Sequence, residues 1–279
     1  GIVKNTDFQR NSIRANLDQK IGKLIDLSVS SNYINSSNRR GYFGNDNNGI
    51  SVSYNLPYIP NYAELHKDPA TGQFPNSPYT PENPLAVLER SINQETTNRF
   101  VQAATATVHI IETDNTSLRF AAQGGLDFAA TDATVFLPSD LQSQRDLQNP
   151  GAVRISRNNS FNTNLQGFLI YDWKLFGGSL GLTSQVGAVR LSNEGRLSFS
   201  QGVGLAAGPP TPELGKIQTQ NSFQRRATDV GYIAQQEFNF RDQIVATAGV
   251  RFDKSSLNAD VTKLYAFPKA SLAVNVAKF

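Results

Sequence analysis

The feature that most constrains this chain is a two-residue alternation of apolar and polar side chains, sustained over segments of about ten to fifteen residues and repeated along the sequence. Successive side chains of a strand point to opposite faces, so this period selects extended backbone with one apolar and one polar face. The clearest run follows Ser160. Phe161, Thr163, Leu165, Gly167, Leu169, Tyr171, Trp173 and Leu175 share one face, against Asn162, Asn164, Gln166, Asp172 and Lys174, with Phe168 and Ile170 as exceptions. Ile13, Ala15, Leu17 and Ile21 alternate with Arg14, Asn16, Asp18 and Lys20, and Ile25, Leu27 and Val29 with Asp26, Ser28 and Ser30. Leu118, Phe120, Ala122, Leu126 and Phe128 oppose Arg119, Gln123 and Asp127. Ala246, Ala248, Val250 and Phe252 oppose Thr247, Arg251 and Asp253, and Ala270, Leu272 and Val274 oppose Lys269, Ser271 and Asn275.

The pattern predicts nine strands, at roughly 8–21, 24–37, 97–112, 117–135, 155–175, 179–201, 221–240, 243–256 and 265–277. Their connections alternate. Short turns fall near Gly22, Asp114, Gly177 and Asp242, and long loops span about 38–96, 136–154, 202–220 and 257–264. Short turns at one rim and long loops at the other predict an all-β fold, an antiparallel up-and-down transmembrane β-barrel segment. The competing fold is a soluble sandwich, whose strands run to only about five or six residues around a shared core. The charges on the polar faces and the aromatic residues at strand ends, Tyr171 and Trp173 beside one short turn and Phe238 and Phe240 beside another, favour the barrel. Leu165, Leu169, Tyr171, Trp173, Phe238 and Phe240 are therefore the expected lipid-facing and girdle positions.

Composition agrees. Apolar residues make up 39% of 279, and the mean hydropathy is −0.37. No stretch reaches the roughly 18 apolar residues of a spanning helix, but barrel strands average apolar and polar faces and need no such run. A net charge of +3 with scattered Lys and Arg presents no basic face for nucleic acid. There is no cysteine, which removes disulfides, thiolate zinc sites and thiol nucleophiles. Methionine is absent too, and the chain opens on Gly1-Ile2-Val3, so it is expected to be either a processed chain or an internal segment of a longer protein, and the strand reading favours the segment.

The opening Gly1-Ile2-Val3-Lys4-Asn5-Thr6-Asp7-Phe8-Gln9-Arg10, leading into Arg14-Ala15-Asn16-Leu17-Asp18, resembles the early barrel of SusC/RagA-type TonB-dependent transporters, where a G-x-x-x-N-[ST]-D-[FY]-x-R … R-x-N-L-[DN] stretch follows the plug. Asn83-Pro84-Leu85-Ala86 followed by Asn98-Arg99-Phe100 is similar to that family's loop re-entry, and Tyr265-Ala266-Phe267-Pro268-Lys269-Ala270-Ser271 to its [YF]-x-[YF]-P-[KS]-x-S strand opening. The matches occur in family order across nearly the whole sequence. The resemblance implies a barrel of about 22 strands closed by a plug, in the outer membrane of a Gram-negative, Bacteroidota-type cell. It also implies import of oligosaccharides or peptides under a SusD-like surface lipoprotein lid, energised through TonB. The plug, the TonB-contacting regions and the other strands are expected outside this stretch, with Phe279 marking a cut through the wall rather than the end of a barrel. The alternative reading is a soluble or surface-attached β-rich binding or adhesion protein.

No catalytic constellation is present, so no enzyme activity, cofactor or metal is expected. His66 lies in a loop and His109 in a strand, each without a second ligand at metal spacing. No nucleophile elbow, phosphate-binding loop or dinucleotide fingerprint occurs. Asp46-Asn47-Asn48-Gly49 lacks the spacing and distal Glu of a calcium loop and reads as a solvated turn. The long loop carries Pro57, Pro60, Pro69, Pro75, Pro78, Pro81 and Pro84, which forbid regular pairing over most of it, although 84–90 allows a short helical turn. Its aromatic series, Tyr42, Phe43, Tyr54, Tyr58 and Tyr62, offers rigid amphipathic surface for a ligand or for the lid. Internal packing of the loop is the plainer alternative.

Overall fold

The computed structural model describes residues 3–44 and 49–276. The first two residues of the family-like opening, most of the Asp46–Gly49 turn, the last residue assigned to the ninth strand and Phe279 lie outside the described residues.

Nine strands form one sheet in sequence order, every neighbouring pair antiparallel. They are β1 (Asp7–Ile21), β2 (Ile25–Arg39), β3 (Ile92–Glu112), β4 (Thr116–Leu137), β5 (Ala152–Leu175), β6 (Leu180–Leu205), β7 (Gly215–Phe240), β8 (Ile244–Ser255) and β9 (Tyr265–Val274). Several run past the range the alternation predicts. β3 begins at Ile92 and β7 at Gly215, because backbone pairing continues beyond the point where one face must be apolar. β5, β6 and β7 reach 24, 26 and 26 residues, against the roughly 9–11 that cross a bilayer.

The register decides which residues share a face. Leu169 sits opposite Phe120 and Val186, Tyr171 opposite Leu118, and Trp173 opposite Leu182, which pairs on with Phe238 and then Ala246. Leu27 and Val29 join this face through Ala106 and Ala104, then Ala122 and Gly124. The expected apolar set therefore lies on one side of the sheet. Asp172 and Lys174 lie on the other, with Phe168 and Ile170, the two exceptions noted in the alternation. A bulge between His109 and Ile111 lets Val108 and Ile111 both reach the apolar side.

The polar face is tied by cross-strand pairs that need no burial. Arg99 meets Asp127 with two guanidinium hydrogen bonds, Nε donating at 2.7 Å. Asp172 accepts from Thr183 at 2.6 Å and Ser117 at 3.2 Å, and pairs with Arg119 at 3.2 Å. His109 meets Asp26 at 2.9 Å.

The turns at one rim are tight. Phe176-Gly177-Gly178 reverses the chain with Gly177 at φ +65° and Gly178 at φ +91°, where a side chain would be strained. At the next such turn Arg241 (φ +51°) and Asp242 (φ +55°) are both left-handed, the twist-matched hairpin geometry. Asn239 offsets the strain by accepting from the Asp242 amide at 3.0 Å.

The sheet is one layer. Leu165 is 54% exposed, Leu169 40% and Trp173 41%, and no second sheet covers them among the described residues. A sandwich would bury such a face against a partner sheet about 10 Å away, so the soluble sandwich is excluded.

Candidate functional site

The buried core of the described residues gathers at the long-loop rim, in the 40–91 and 138–151 connections. Ile50, Val52, Leu65, Ala86, Val87 and Leu141 are each at most 8% exposed. The long loop, which the prolines keep out of the sheet, is ordered. Proline prevents strand pairing there, but side chains supply the hydrogen bonds that a ladder would have made.

Two short helices organise the long loop. In α1 (Val52–Asn55), Ser51 caps the amide of Tyr54, the Val52 amide donates to the Tyr42 carbonyl at 2.7 Å, and Asn55 Nδ2 donates to the Gly49 carbonyl at 2.6 Å. α2 (Pro84–Arg90) occupies the stretch where a helical turn was expected. Asn83 Oδ1 accepts from the Leu85 amide at 2.9 Å, Pro84 stands where a missing N–H costs nothing, and Asn83 Nδ2 donates to the Leu65 and Pro75 carbonyls.

Glu82, with no exposed surface, joins the two loops. One carboxylate oxygen accepts from the Asn83 amide and the other from the Ser143 amide, both at 2.8 Å, the latter in the first turn of α3 (Gln142–Arg145). Gln142 pairs with Ser77 as a strand would, accepting from its amide at 2.7 Å and donating to its carbonyl at 2.9 Å. Arg90 and Asp140 add an ion pair at 2.5 Å, and Arg145 donates to Asn76 at 2.6 Å. Beside this seam, Glu89 holds Lys67 (3.0 Å) and Lys4 (3.4 Å). The hydrogen bond from Lys67 is the main reason its carboxyl lies below the usual range.

The aromatic series separates on this scaffold. Tyr42 serves the base, its hydroxyl donating to the Ile92 carbonyl at 3.1 Å. Phe43 is 42% exposed, and its carbonyl accepts from Ser53 at 2.5 Å. Tyr54 and Tyr58 form a tilted pair with ring centroids 5.5 Å apart, both largely exposed. Tyr62 instead meets Tyr79 edge-on at 6.5 Å. Sequence reasoning missed Tyr79, because the turn that returns it to Tyr62 has no local signature. Between residues 64 and 75 an open cleft of about 730 Å³ is lined by Glu64, His66, Lys67, Asp68 and Phe74. Among the described residues no group of three His, Cys, Asp or Glu side chains is arranged to hold a metal ion. His66 pairs with Glu64 at 2.8 Å.

No protein-family model matches the sequence, and no curated protein matches it. Solved structures do match in fold. The RagAB peptide transporter superposes with a TM-score of 0.75 at 14% identity, over 98% of this chain and 31% of that one. The RagAB peptide importer in its closed-closed state gives 0.74 and in its open-open state 0.71, again at 14% identity. This chain therefore spans about a third of the length of the transporters it matches, and it shares their fold over that part.

Proposed function

We propose that this chain forms nine adjoining strands and part of the outer mouth of a TonB-dependent, SusC/RagA-like importer. The observation that carries the reading is the single-layer antiparallel wall with separated faces, matched over nearly its whole length by a peptide transporter. In this reading the apolar face, with Leu165, Leu169, Tyr171, Trp173, Phe238 and Phe240, meets outer-membrane lipid, and the charged face lines the lumen. The plug, the TonB contacts and the remaining strands belong to other parts of the protein. The wall performs no bond chemistry.

The ordered loop structure is the mouth. Tyr54, Tyr58, Tyr62 and Tyr79 present aromatic faces with polar tips, suited to peptide backbone or sugar rings, or to a SusD-like lipoprotein lid. An aromatic contact of this kind contributes about 0.5–1.5 kcal/mol beyond its buried area. Replacing Tyr54 and Tyr58 together with alanine in the whole transporter is expected to reduce uptake per inserted molecule about tenfold, with the amount of inserted barrel unchanged. Less inserted protein with normal uptake per molecule would make the pair structural and refute its role in capture.

A further inference from the structure

On the apolar face the aromatic row breaks at β6. On β2 to β5 the long-loop end of this face is marked by a continuous aromatic row in which Tyr33 pairs with Phe100, Phe100 with Phe128 and Phe128 with Phe161. On β7 and β8 the boundary is Tyr232 opposite Phe252. Between these, β6 offers no aromatic on this face. Arg190 stands opposite Leu165, Ser192 opposite Thr163 and Glu194 opposite Phe161. On the next strand Arg226 is opposite Glu194, and Thr228 opposite Ser192.

Arg190 is ten residues beyond Leu180, about 34 Å along the strand. At a strand tilt near 40° that is about 26 Å of height, the upper edge of an apolar band about 25 Å tall. Arg190 thus sits where hydrocarbon gives way to headgroups, with Arg226 higher. Among the described residues no carboxylate lies within ion-pair distance of either guanidinium. Glu194 is engaged by Gln224 at 3.2 Å, and Ser192 and Thr228 hydroxyls meet at 3.4 Å between the two arginines. Both arginines line a groove of about 470 Å³ that crosses the strands toward β3, where Ala104 and Gly124 floor it and Gln102, Leu126, Phe161 and Leu165 flank it. Gly124 leaves room that any larger side chain would take, since a Cβ there would already stand 3.3 Å from Leu165.

We propose that this break in the aromatic row is a binding site for an outer-leaflet lipid with a phosphate headgroup, its phosphate between Arg190 and Arg226 and an acyl chain in the Ala104–Gly124 groove. Charge complementarity selects an anion, because the two arginines outnumber Glu194. The groove selects a chain-bearing one over inorganic phosphate. The inference rests on the wall reading, which turns this face to lipid.

The test uses the whole transporter purified from outer membranes in detergent, with native mass spectrometry against phosphatidylglycerol, diacylglycerol and inorganic phosphate. One phosphatidylglycerol retained per chain is expected, at least fivefold less in the R190Q/R226Q double variant and more in Glu194→Gln. Diacylglycerol and inorganic phosphate should not be retained. Normal membrane insertion with equal lipid retention in the wild type and the double variant overturns the site, as does retention of inorganic phosphate alone. A change in oligomeric state without a change in lipid assigns the patch to a second copy and also overturns it. Absence of the protein from the outer membrane refutes the wall reading instead.

Discussion

Glu82→Gln should loosen the mouth while leaving the wall intact. Both Glu82 oxygens are acceptors, one for the Asn83 amide and one for the Ser143 amide, each at 2.8 Å, in a site with no exposed surface. The amide keeps one acceptor and turns the other position into a donor facing a buried N–H. A hydrogen bond to a charged group contributes about 1.5–3 kcal/mol, and an N–H left buried without a partner costs a similar amount. These overlap rather than add, because the loop opens once the penalty exceeds its local stability. We take about 2–3 kcal/mol for the seam, which is about 30- to 140-fold in its opening equilibrium. Hydrogen exchange on the detergent-solubilised transporter reads this directly. The Ser143 amide, a first-turn amide without a helical partner, should exchange faster by at least tenfold, while amides in β5 and β6 keep wild-type protection. Unchanged exchange at Ser143 would mean that the Gln142–Ser77 pairing holds the seam alone, and that the role given to Glu82 is wrong. Equal acceleration in the wall strands would mean that the loops and wall unfold as one unit.

The parity of the alternation is tested on adjacent residues. Leu169→Arg on the apolar face should cost about 2–4 kcal/mol and reduce the fraction inserted, while Ile170→Gln on the polar face should insert normally by heat-modifiable gel mobility; equal effects would refute the assignment of faces. Acid should weaken the Lys4–Glu89–Lys67 cluster. The Glu89 carboxyl is lowered in the folded state, so its contribution is present above the unfolded value of about 4.3 and is lost as pH falls through the lowered folded value. The pair is partly solvated, so the effect is small and salt-sensitive. Limited proteolysis of the 60–75 segment should accelerate below about pH 4 in the wild type and be flatter with pH in Glu89→Gln; identical profiles would remove Glu89 from the account.

Much of the wall was legible in the sequence because a strand encodes its faces locally. Leu165, Leu169, Tyr171 and Trp173 had to share a side whatever the neighbours, and Phe168 and Ile170 had to leave it, since the period is two. Short turns such as Phe176-Gly177-Gly178 then made consecutive strands hairpin partners. Pairing was harder to read where 40–91 separates β2 from β3: the apolar face fixed only the parity of the register, which Leu27 opposite Ala106 satisfies, and the structure chose among the even shifts. The strand ends escaped, since β7 pairs from Gly215 through a mostly polar run in which Ile217 is the one apolar side chain before Phe223, too few for a period signal.

Only the tertiary structure decided the mouth. Nothing near Glu82 announces that a charged residue between Pro81 and Asn83 is fully buried, because its partner at Ser143 comes from another loop. Tyr79 reaches Tyr62 by the same long-range closure. Arg190 and Arg226 on the apolar face follow the same logic. Read along β6, Arg190 belongs to an ordinary mixture, and it becomes an anomaly only when pairing sets it beside Leu165 and an aromatic row that ends at Phe161. Faces follow from bond geometry within a strand, whereas a loop core or a gap in a girdle consists of contacts between segments, whose formation depends on the whole sheet bringing them together.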